Sequence, residues 1–266
     1  MSQINFEAAL ASQLDKVDNN ANSGPKYNVR DNFKDIFGVY LLQSLTFKGK
    51  FDIPCVGNND DISEIDFIAL YSDTKDYFKT ENTCVAFYQY DHVFDGIHGL
   101  YNSIIYQDNE HLEKYRKRFE GVKYIIAPDY SLFGDFPNAL QIFNIYKSRL
   151  CMCWLMQNTK AKVIPNVRWT FDFSFEYCFD GIEKGSNIAI SILGQIHDVD
   201  NKEMFLDGLR KAIDVIEPKA IVVYGFVTEN NFDLLFGYAK SKGIKIIIPH
   251  SKIDMYKKEG TIYGSR

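Results

Sequence analysis

Seven short apolar segments alternate with helical patterns along the chain from residue 64 onward. The segments are rich in β-branched and aromatic residues and apolar at consecutive positions, as in strands that are covered on both faces. They read IDFIALYS, CVAFYQY, VKYIIAP, AKVIPNV, NIAISILG, AIVVYGFV and IKIIIP. This alternation is typical of repeated βα units around a mostly parallel sheet, so the sequence predicts an α/β fold.

Two arrangements of the strands fit this pattern. The first is a (β/α) barrel-like arrangement of about seven or eight mostly parallel strands, with FDIPCV at residues 51–56 as the eighth. The second is a doubly wound open sheet. We favour the barrel-like arrangement because polar residues follow most of the strands instead of gathering at one crossover. In both arrangements the ligand site lies at the carboxyl ends of the strands.

The N-terminal part of the chain has a different pattern. Apolar residues stand at near-helical spacing before a segment rich in Asn, Gly and Pro, and they are Ile4, Phe6, Leu10 and Leu14. We therefore predict an N-terminal helical extension and linker over residues 1–48. The remaining residues, 49–266, are predicted to form a single α/β domain.

Charge and composition exclude several classes of protein. The formal net charge is −5, which weighs against binding nucleic-acid backbones irrespective of sequence. No apolar run approaches the roughly 20 residues that span a bilayer, and the first residues lack the pattern of a signal peptide. We expect a protein of the host cytoplasm without a membrane partner. The cysteines are odd in number and form no CxxC pair, so we expect buried, reduced thiols.

Polar side chains follow most of the predicted strands. They are Asp91, Asp95, Asp129, Ser131, Asp135, Asn166, Arg168, Trp169, Gln195, His197, Asp198, Tyr224, His250 and Ser251. Because a polar group at the end of a buried strand must be solvated or paired, this ring of side chains can line one pocket for a polar ligand. The alternative is that each residue only caps a helix or forms a turn.

Residues 124–169 contain most of the candidate site. Asp129 and Asp135 are the candidate catalytic carboxylates, each able to act as a general base. The candidate ligand-binding residues are Ser131, Gln141, Asn144, Asn166, Arg168, Trp169 and Gln195. A guanidinium beside an indole can hold an anion or stack on a flat ring. An ion pair of Arg168 with Asp129 or Asp135 explains the same residues.

We assign no metal ligands and no cofactor from the sequence. In DHVFDGIH, Asp91, Asp95 and His98 share one face if the segment is helical, but Gly96 disfavours a rigid helix there. The motifs GxGxxG, GxxxxGK[ST], GxSxG and HExxH are absent. Their absence argues against Walker-type nucleotide hydrolysis, a standard dinucleotide site, an α/β-hydrolase elbow and a zincin site.

Several segments together resemble an uncharacterised family of unknown function found in bacteriophages, plasmids and integrative elements. They are VAFYQYDHVFDGI, APDYSLFGDFPNALQIFNIYKSR, KVIPNVRW, YCFDGI and PKAIVVYG, and the central motif PDYSLFGDFPNALQIFN is the most specific. The resemblance covers roughly residues 50–250 and implies an accessory protein of a mobile element. Residues that match family-like positions are Asp129, Ser131, Asp135, Pro137, Gln141, Asn144, Arg149, Asn166, Trp169, Cys178, Asp180 and Gly181.

Three functions follow from these observations. The first is a phage or mobile-element accessory protein whose strand-end pocket binds a nucleotide, a modified base or a nucleic-acid end, with or without catalysis. The alternative is a non-catalytic inhibitor of a host protein, for example a defence nuclease, that uses its acidic surface. The second alternative is a DNA-binding accessory of replication or partition, for which the charge balance gives the least support.

Overall fold

The computed structural model describes residues 39–42, 45–196 and 199–254. Short parallel strands alternate with helices, and the predicted α/β class is confirmed. The strands are β1 (Phe47–Lys48), β2 (Ile53–Pro54), β3 (Phe67–Leu70), β4 (Thr83–Ala86), β5 (Tyr124–Ile126), β6 (Lys162–Ile164), β7 (Ile188–Ser191), β8 (Ala220–Tyr224), β9 (Lys245–Ile247) and β10 (His250–Ser251).

One short helix precedes β1, and the other helices lie between the strands in the chain. They are α1 (Val39–Leu42), α2 (Asp91–Phe94), α3 (Leu100–Ile105), α4 (Asn109–Arg118), α5 (Asn138–Asn158), α6 (Val199–Ile216) and α7 (Glu229–Ser241), with 3-10 helices at Thr74–Asp76 and Asp172–Glu176. The helix predicted within residues 3–17 lies outside the described residues. No helix in the described ranges has both the length and the apolar character needed to cross a bilayer.

Parallel pairing forms two sheets, one in the order β10-β3-β4-β5-β6 and one in the order β7-β8-β9. An isolated parallel bridge between Asn166 and Ala189 connects the end of β6 with β7. At the other end, β9 belongs to the smaller sheet, and β10 follows it directly and pairs with β3 of the larger one. Strands β3 to β6 and strands β7 to β9 thus each neighbour the next in the chain, and β10 returns to β3. Closure of the two sheets into a barrel stays a prediction.

The segment 51–56 is not an eighth strand of this series, contrary to the prediction. Ile53 and Pro54 pair antiparallel with β1, and Val56 forms one parallel bridge to Ile182. The physical reason is a tight turn before β2, where Asp52 has a φ of 51° and reverses the chain onto β1. The parallel strands that alternate with helices therefore begin at β3.

One buried cluster takes side chains from β3 through β9. Its members on these strands are Ile68, Cys84, Ala86, Tyr124, Ile126, Ile164, Ala189, Ala220, Val222, Tyr224 and Ile247. Alternate residues face clusters that include helical side chains: Val85 and Ile125 face one with α3, α4 and α5, and Ile190 and Val223 face one with α6 and α7. Because successive side chains on a strand point to opposite faces, both faces of these strands are covered. This coverage of both faces explains why the strands are apolar at consecutive positions.

The cysteines are buried and unpaired, as predicted. Burial raises the pKa of Cys153 to about 12, so its thiol stays protonated at neutral pH. A protonated thiol is a poor nucleophile and a poor metal ligand. The cysteines therefore serve as small apolar core residues.

Candidate functional site

A small pocket opens at the carboxyl ends of β5, β6 and β7. It is lined by Asp129, Val167, Arg168, Trp169, Ser191, Gln195 and Phe205. Asp129 follows β5, and the segment from Val167 to Trp169 follows β6. Ser191 ends β7, Gln195 lies in the loop after it, and Phe205 belongs to α6. Four residues of the predicted site, from the ends of three strands, thus line one pocket, as the parallel arrangement leads us to expect.

Asp129 is the carboxylate of this pocket and is only 7% exposed. Its Oδ1 accepts a hydrogen bond from Nδ2 of Asn166 at 2.7 Å, and its Oδ2 forms an ion pair with Nη1 of Arg168 at 2.8 Å. Burial raises the pKa of Asp129, while the Arg168 charge and the Asn166 bond act in the opposite direction, and burial prevails. A carboxylate with a raised pKa is better suited to general-base chemistry near neutral pH.

Asn166, which follows β6, is oriented by a tyrosine that follows β4. The hydroxyl of Tyr88 donates to Oδ1 of Asn166 at 2.9 Å, which leaves the amide nitrogen to face Asp129. The Tyr88 ring stacks on Tyr224, with ring centroids 4.9 Å apart. Burial, reinforced by the Asp129 charge, raises the pKa of Tyr88, so that its hydroxyl stays a donor. The chain Tyr88–Asn166–Asp129 therefore has a fixed direction of hydrogen bonding.

Arg168 has donor capacity beyond its ion pair. Its side chain is 24% exposed, so part of it reaches the surface of the pocket. Its Nε is buried and has no hydrogen-bond partner among the residues that the structure describes. Buried polar atoms are nearly always satisfied, so an unpaired guanidinium nitrogen at a pocket indicates a place where a ligand or water accepts a hydrogen bond.

Trp169 forms a wall of the pocket and is almost fully buried. Its indole lies 5.5 Å from the Phe205 ring and 6.3 Å from the Phe179 ring, measured between centroids. It also contacts Gly208 of α6, where an added Cβ would stand 2.0 Å from Nε1 of Trp169. Gly208 therefore permits α6 to approach the indole closely and keeps it in one position.

Three of the predicted ligand-binding residues hold the loop that follows β5. Ser131 donates to the Asp91 carboxylate through both its backbone N–H and its hydroxyl. Nδ2 of Asn144 donates to the backbone carbonyl of Ser131 at 2.7 Å. Gln141 donates to the carbonyl of Phe136. We interpret Ser131, Asn144 and Gln141 as residues that position the pocket, because their polar atoms are engaged within the protein.

The remaining predicted residues lie elsewhere. Asp135 is exposed in the turn before α5, does not line the pocket and makes no ion pair or hydrogen bond with the described residues. His250 is exposed on β10, and its ring lies 3.9 Å from the Asp254 carboxylate. His197 and Asp198 lie outside the described residues. Of the two candidate catalytic carboxylates, Asp129 is therefore the one that lines the pocket.

The segment DHVFDGIH does not form one helical face. Helix α2 ends at Phe94, and Asp95 follows in an extended conformation. Asp91 bonds to Ser131, whereas Asp95 forms an ion pair with Lys147 at 2.9 Å. Because the helix ends before Gly96, His98 lies away from the two carboxylates, beside Asp108 and His111. The structure thus gives no support to a metal site made from Asp91, Asp95 and His98.

Sequence reasoning missed two residues that shape the site. Tyr88 was overlooked because the sequence around it looks like that of any core aromatic residue. Its alternation with Cys84 and Ala86 nevertheless places it in the buried cluster that takes side chains from β3 through β9. Arg149 was noted only through the family resemblance. It is fully buried in α5 and donates to the backbone carbonyls of Asn166 and Cys178, which fixes the backbone before Arg168. No periodicity signals that role.

The fold and the pocket define an α/β protein with a polar site at the carboxyl ends of its strands. Residues 45–240 match the family described as a domain of unknown function (DUF4417), and the chain belongs to that family. It is similar to the "Gene 1 protein" of Mycobacterium phage L5, with 37% identity over 113 residues that cover 42% of this chain and 49% of the relative. The "Gene 1 protein" of Mycobacterium phage D29 is 33% identical over 113 residues, covering 42% of each chain.

These relatives confirm the predicted resemblance to an uncharacterised, phage-associated family. The chain spans about half the length of the curated relatives that it matches. No solved structure matches it.

Proposed function

We propose that this phage-associated protein is an accessory protein of the host cytoplasm whose strand-end pocket binds a nucleotide, a modified base or a nucleic-acid end. One observation carries the proposal: Asp129, the adjacent residues Arg168 and Trp169, and Gln195 come from three separate segments of the chain and line a single pocket. The same observation argues against the view that each residue only caps its own helix.

The pocket offers the chemistry that such ligands need. The exposed part of the Arg168 guanidinium side chain suits an anionic or carbonyl oxygen. The Asp129 carboxylate can accept hydrogen bonds from the amino or imino groups of a base, or take a proton as a general base. Gln195 adds an amide that can both donate and accept. The chemistry of these groups therefore suits a ligand that carries a charged group and a hydrogen-bonding ring.

The test is a thermal-unfolding screen of the wild-type chain with nucleotides, modified nucleosides, sugar phosphates and short oligonucleotides. A ligand at a hundred times its Kd stabilises a protein by about 2.7 kcal/mol, which is a readily measured shift. We expect Asp129→Asn and Arg168→Ala to fold and to lose the shift. Asp135→Asn is the matched control, because this exposed carboxylate does not line the pocket, and it should respond as the wild type does.

Two results would argue against this function. The first is that no compound of these classes stabilises the wild-type chain. The second is that the pocket variants and Asp135→Asn respond equally to every compound that binds.

A second candidate function is inhibition of a host protein, for example one of a defence system. It is favoured by large apolar side chains that are exposed around the central motif: Phe133, Leu140, Phe143 and Phe171 are each between 41% and 53% exposed. Exposed aromatic side chains of this kind are common at protein interfaces. If a host protein is captured in stoichiometric amount by wild type and by Arg168→Ala alike, inhibition is favoured over ligand binding.

A further inference from the structure

Two histidines and an aspartate meet on the helical layer, away from the residues that line the pocket. His98 precedes α3, Asp108 precedes α4, and His111 lies in the first turn of α4. One potential ligand atom from each residue lies within 4.8 Å of the other two. Nδ1 of His111 is 2.7 Å from Oδ2 of Asp108, and Nδ1 of His98 is 3.6 Å from the same oxygen. Two imidazole nitrogens thus face one carboxylate oxygen.

The backbone around these side chains is held in place by other contacts. Oδ1 of Asp108 accepts the backbone N–H of His111 and caps α4, which leaves Oδ2 for the imidazoles. The carbonyl of His98 accepts hydrogen bonds from the hydroxyls of Tyr115 and Ser103. These contacts attach the loop before α3 to α4, so the fold holds the backbones of the three residues close together.

We propose that His98, Asp108 and His111 bind a divalent transition-metal ion of the Zn²⁺ type. Imidazole nitrogen and carboxylate oxygen are the ligands of such ions, and Zn²⁺ binds them at about 2.0–2.2 Å. In tetrahedral coordination the ligand atoms then stand about 3.4 Å apart. The 3.6 Å between His98 and Asp108 is close to that value, and the 2.7 Å hydrogen bond of His111 lengthens when the ion replaces the shared proton.

Binding requires one adjustment of the side chains. The two imidazole rings are stacked, with centroids 4.0 Å apart and planes 9° from parallel. Because a ring nitrogen binds a metal in the plane of its ring, one of the stacked rings must turn. The His98 side chain is 62% exposed and can turn toward solvent without displacing packed neighbours. The open side of the cluster leaves at least one coordination position for water or another ligand.

The test is a calorimetric titration of Zn²⁺ into the chelator-treated full chain. We expect wild type to bind one ion, and His98→Gln and His111→Gln each to lower the affinity at least tenfold, because each removes a ligand. His92→Gln is the matched control, since His92 is an exposed histidine outside the cluster, and it should bind as wild type does. Asp108→Asn keeps an oxygen that can cap α4 but removes the charge, and should also weaken binding.

Folding is checked by the thermal unfolding of each variant without metal. His98 is the decisive position because its exposed side chain can be replaced without disturbing the core. The proposal is overturned if wild type binds no Zn²⁺, or if His98→Gln binds Zn²⁺ as tightly as wild type and His92→Gln do. In either case the two rings and the aspartate form only a hydrogen-bonded stack. Because the cluster shares no residue with the strand-end pocket, this result is independent of the proposed function.

Discussion

Among the single residues, Asp129 fits both of the roles that the sequence offered for it, an ion pair with Arg168 and a place in the pocket. It forms the ion pair with Arg168, and it also lines the pocket with its partner. The pairing does not satisfy the guanidinium, because Nε remains without a partner among the described residues. Desolvation outweighs the ion pair in setting the protonation of the carboxyl group. Pairing at a strand end is therefore compatible with a role in binding.

The raised pKa of Asp129 leads to a prediction about pH. Between its ordinary pKa of 3.8 and the raised pKa of the folded protein, the native state keeps a proton that the unfolded chain has released. The free energy of unfolding should therefore fall as pH rises through this window, by at most about 1.4 kcal/mol per pH unit. We expect the stability of wild type minus that of Asp129→Asn to decrease from about pH 4 upward and then level off.

Chemical denaturation at a series of pH values measures this difference directly. The subtraction removes most of the contribution of other carboxyl groups, such as Asp108, whose pKa is lowered by its hydrogen bonds to His111. A difference that instead increases with pH would mean that the Arg168 charge dominates over burial.

At the scale of elements, the position of α6 against the strand ends depends on a glycine. Gly208 faces the indole of Trp169, and there is no room for a methyl group between them. Trp169 is 6% exposed and enclosed by Phe205 and Phe179, so it cannot move aside freely. The contact links the helix to the wall of the pocket. In the sequence, Gly208 looks only like an unfavourable residue within a helix.

Gly208→Ala and Gly237→Ala should therefore have opposite effects. Each substitution gains up to about 1 kcal/mol of helix propensity. At Gly208 the clash with Trp169 should outweigh this gain, because overpacking a core costs about 1–3 kcal/mol. At Gly237 in α7 an added Cβ meets nothing within 4 Å, so the gain should remain. Urea unfolding measures both, and stabilisation by Gly208→Ala would show that α6 adjusts easily.

In the molecule as a whole, residues before the predicted boundary at residue 49 pack against the core. Leu41 of α1 is 2% exposed and belongs to the buried cluster that contains Tyr101 and Leu150. The carbonyl of Thr46 accepts the backbone N–H of Cys55. The division into an extension over 1–48 and a domain over 49–266 remains a prediction, and these contacts indicate where to test it.

Truncation at two positions tests this boundary. Removing residues 1–48 should destabilise the chain more than removing residues 1–38, because only the longer deletion removes Leu41 from the core. Burial of one leucine side chain contributes about 1.5–3 kcal/mol, and the loss of β1 adds to the effect. Thermal unfolding of both truncated chains gives the comparison. Equal stability would place the boundary where the sequence predicts it.

The order of the amino acids alone was enough to predict the α/β class, the buried cysteines and the edge of the strands where polar side chains gather. These properties follow from the apolar pattern, which records how each segment is covered. The three-dimensional packing was needed to show that Asp129 and not Asp135 lines the pocket, and that His98 meets Asp108 and His111. The direction of a side chain beyond a strand end depends on the loop backbone and on contacts distant in sequence, such as those of Arg149 and Tyr88, and no local pattern encodes them.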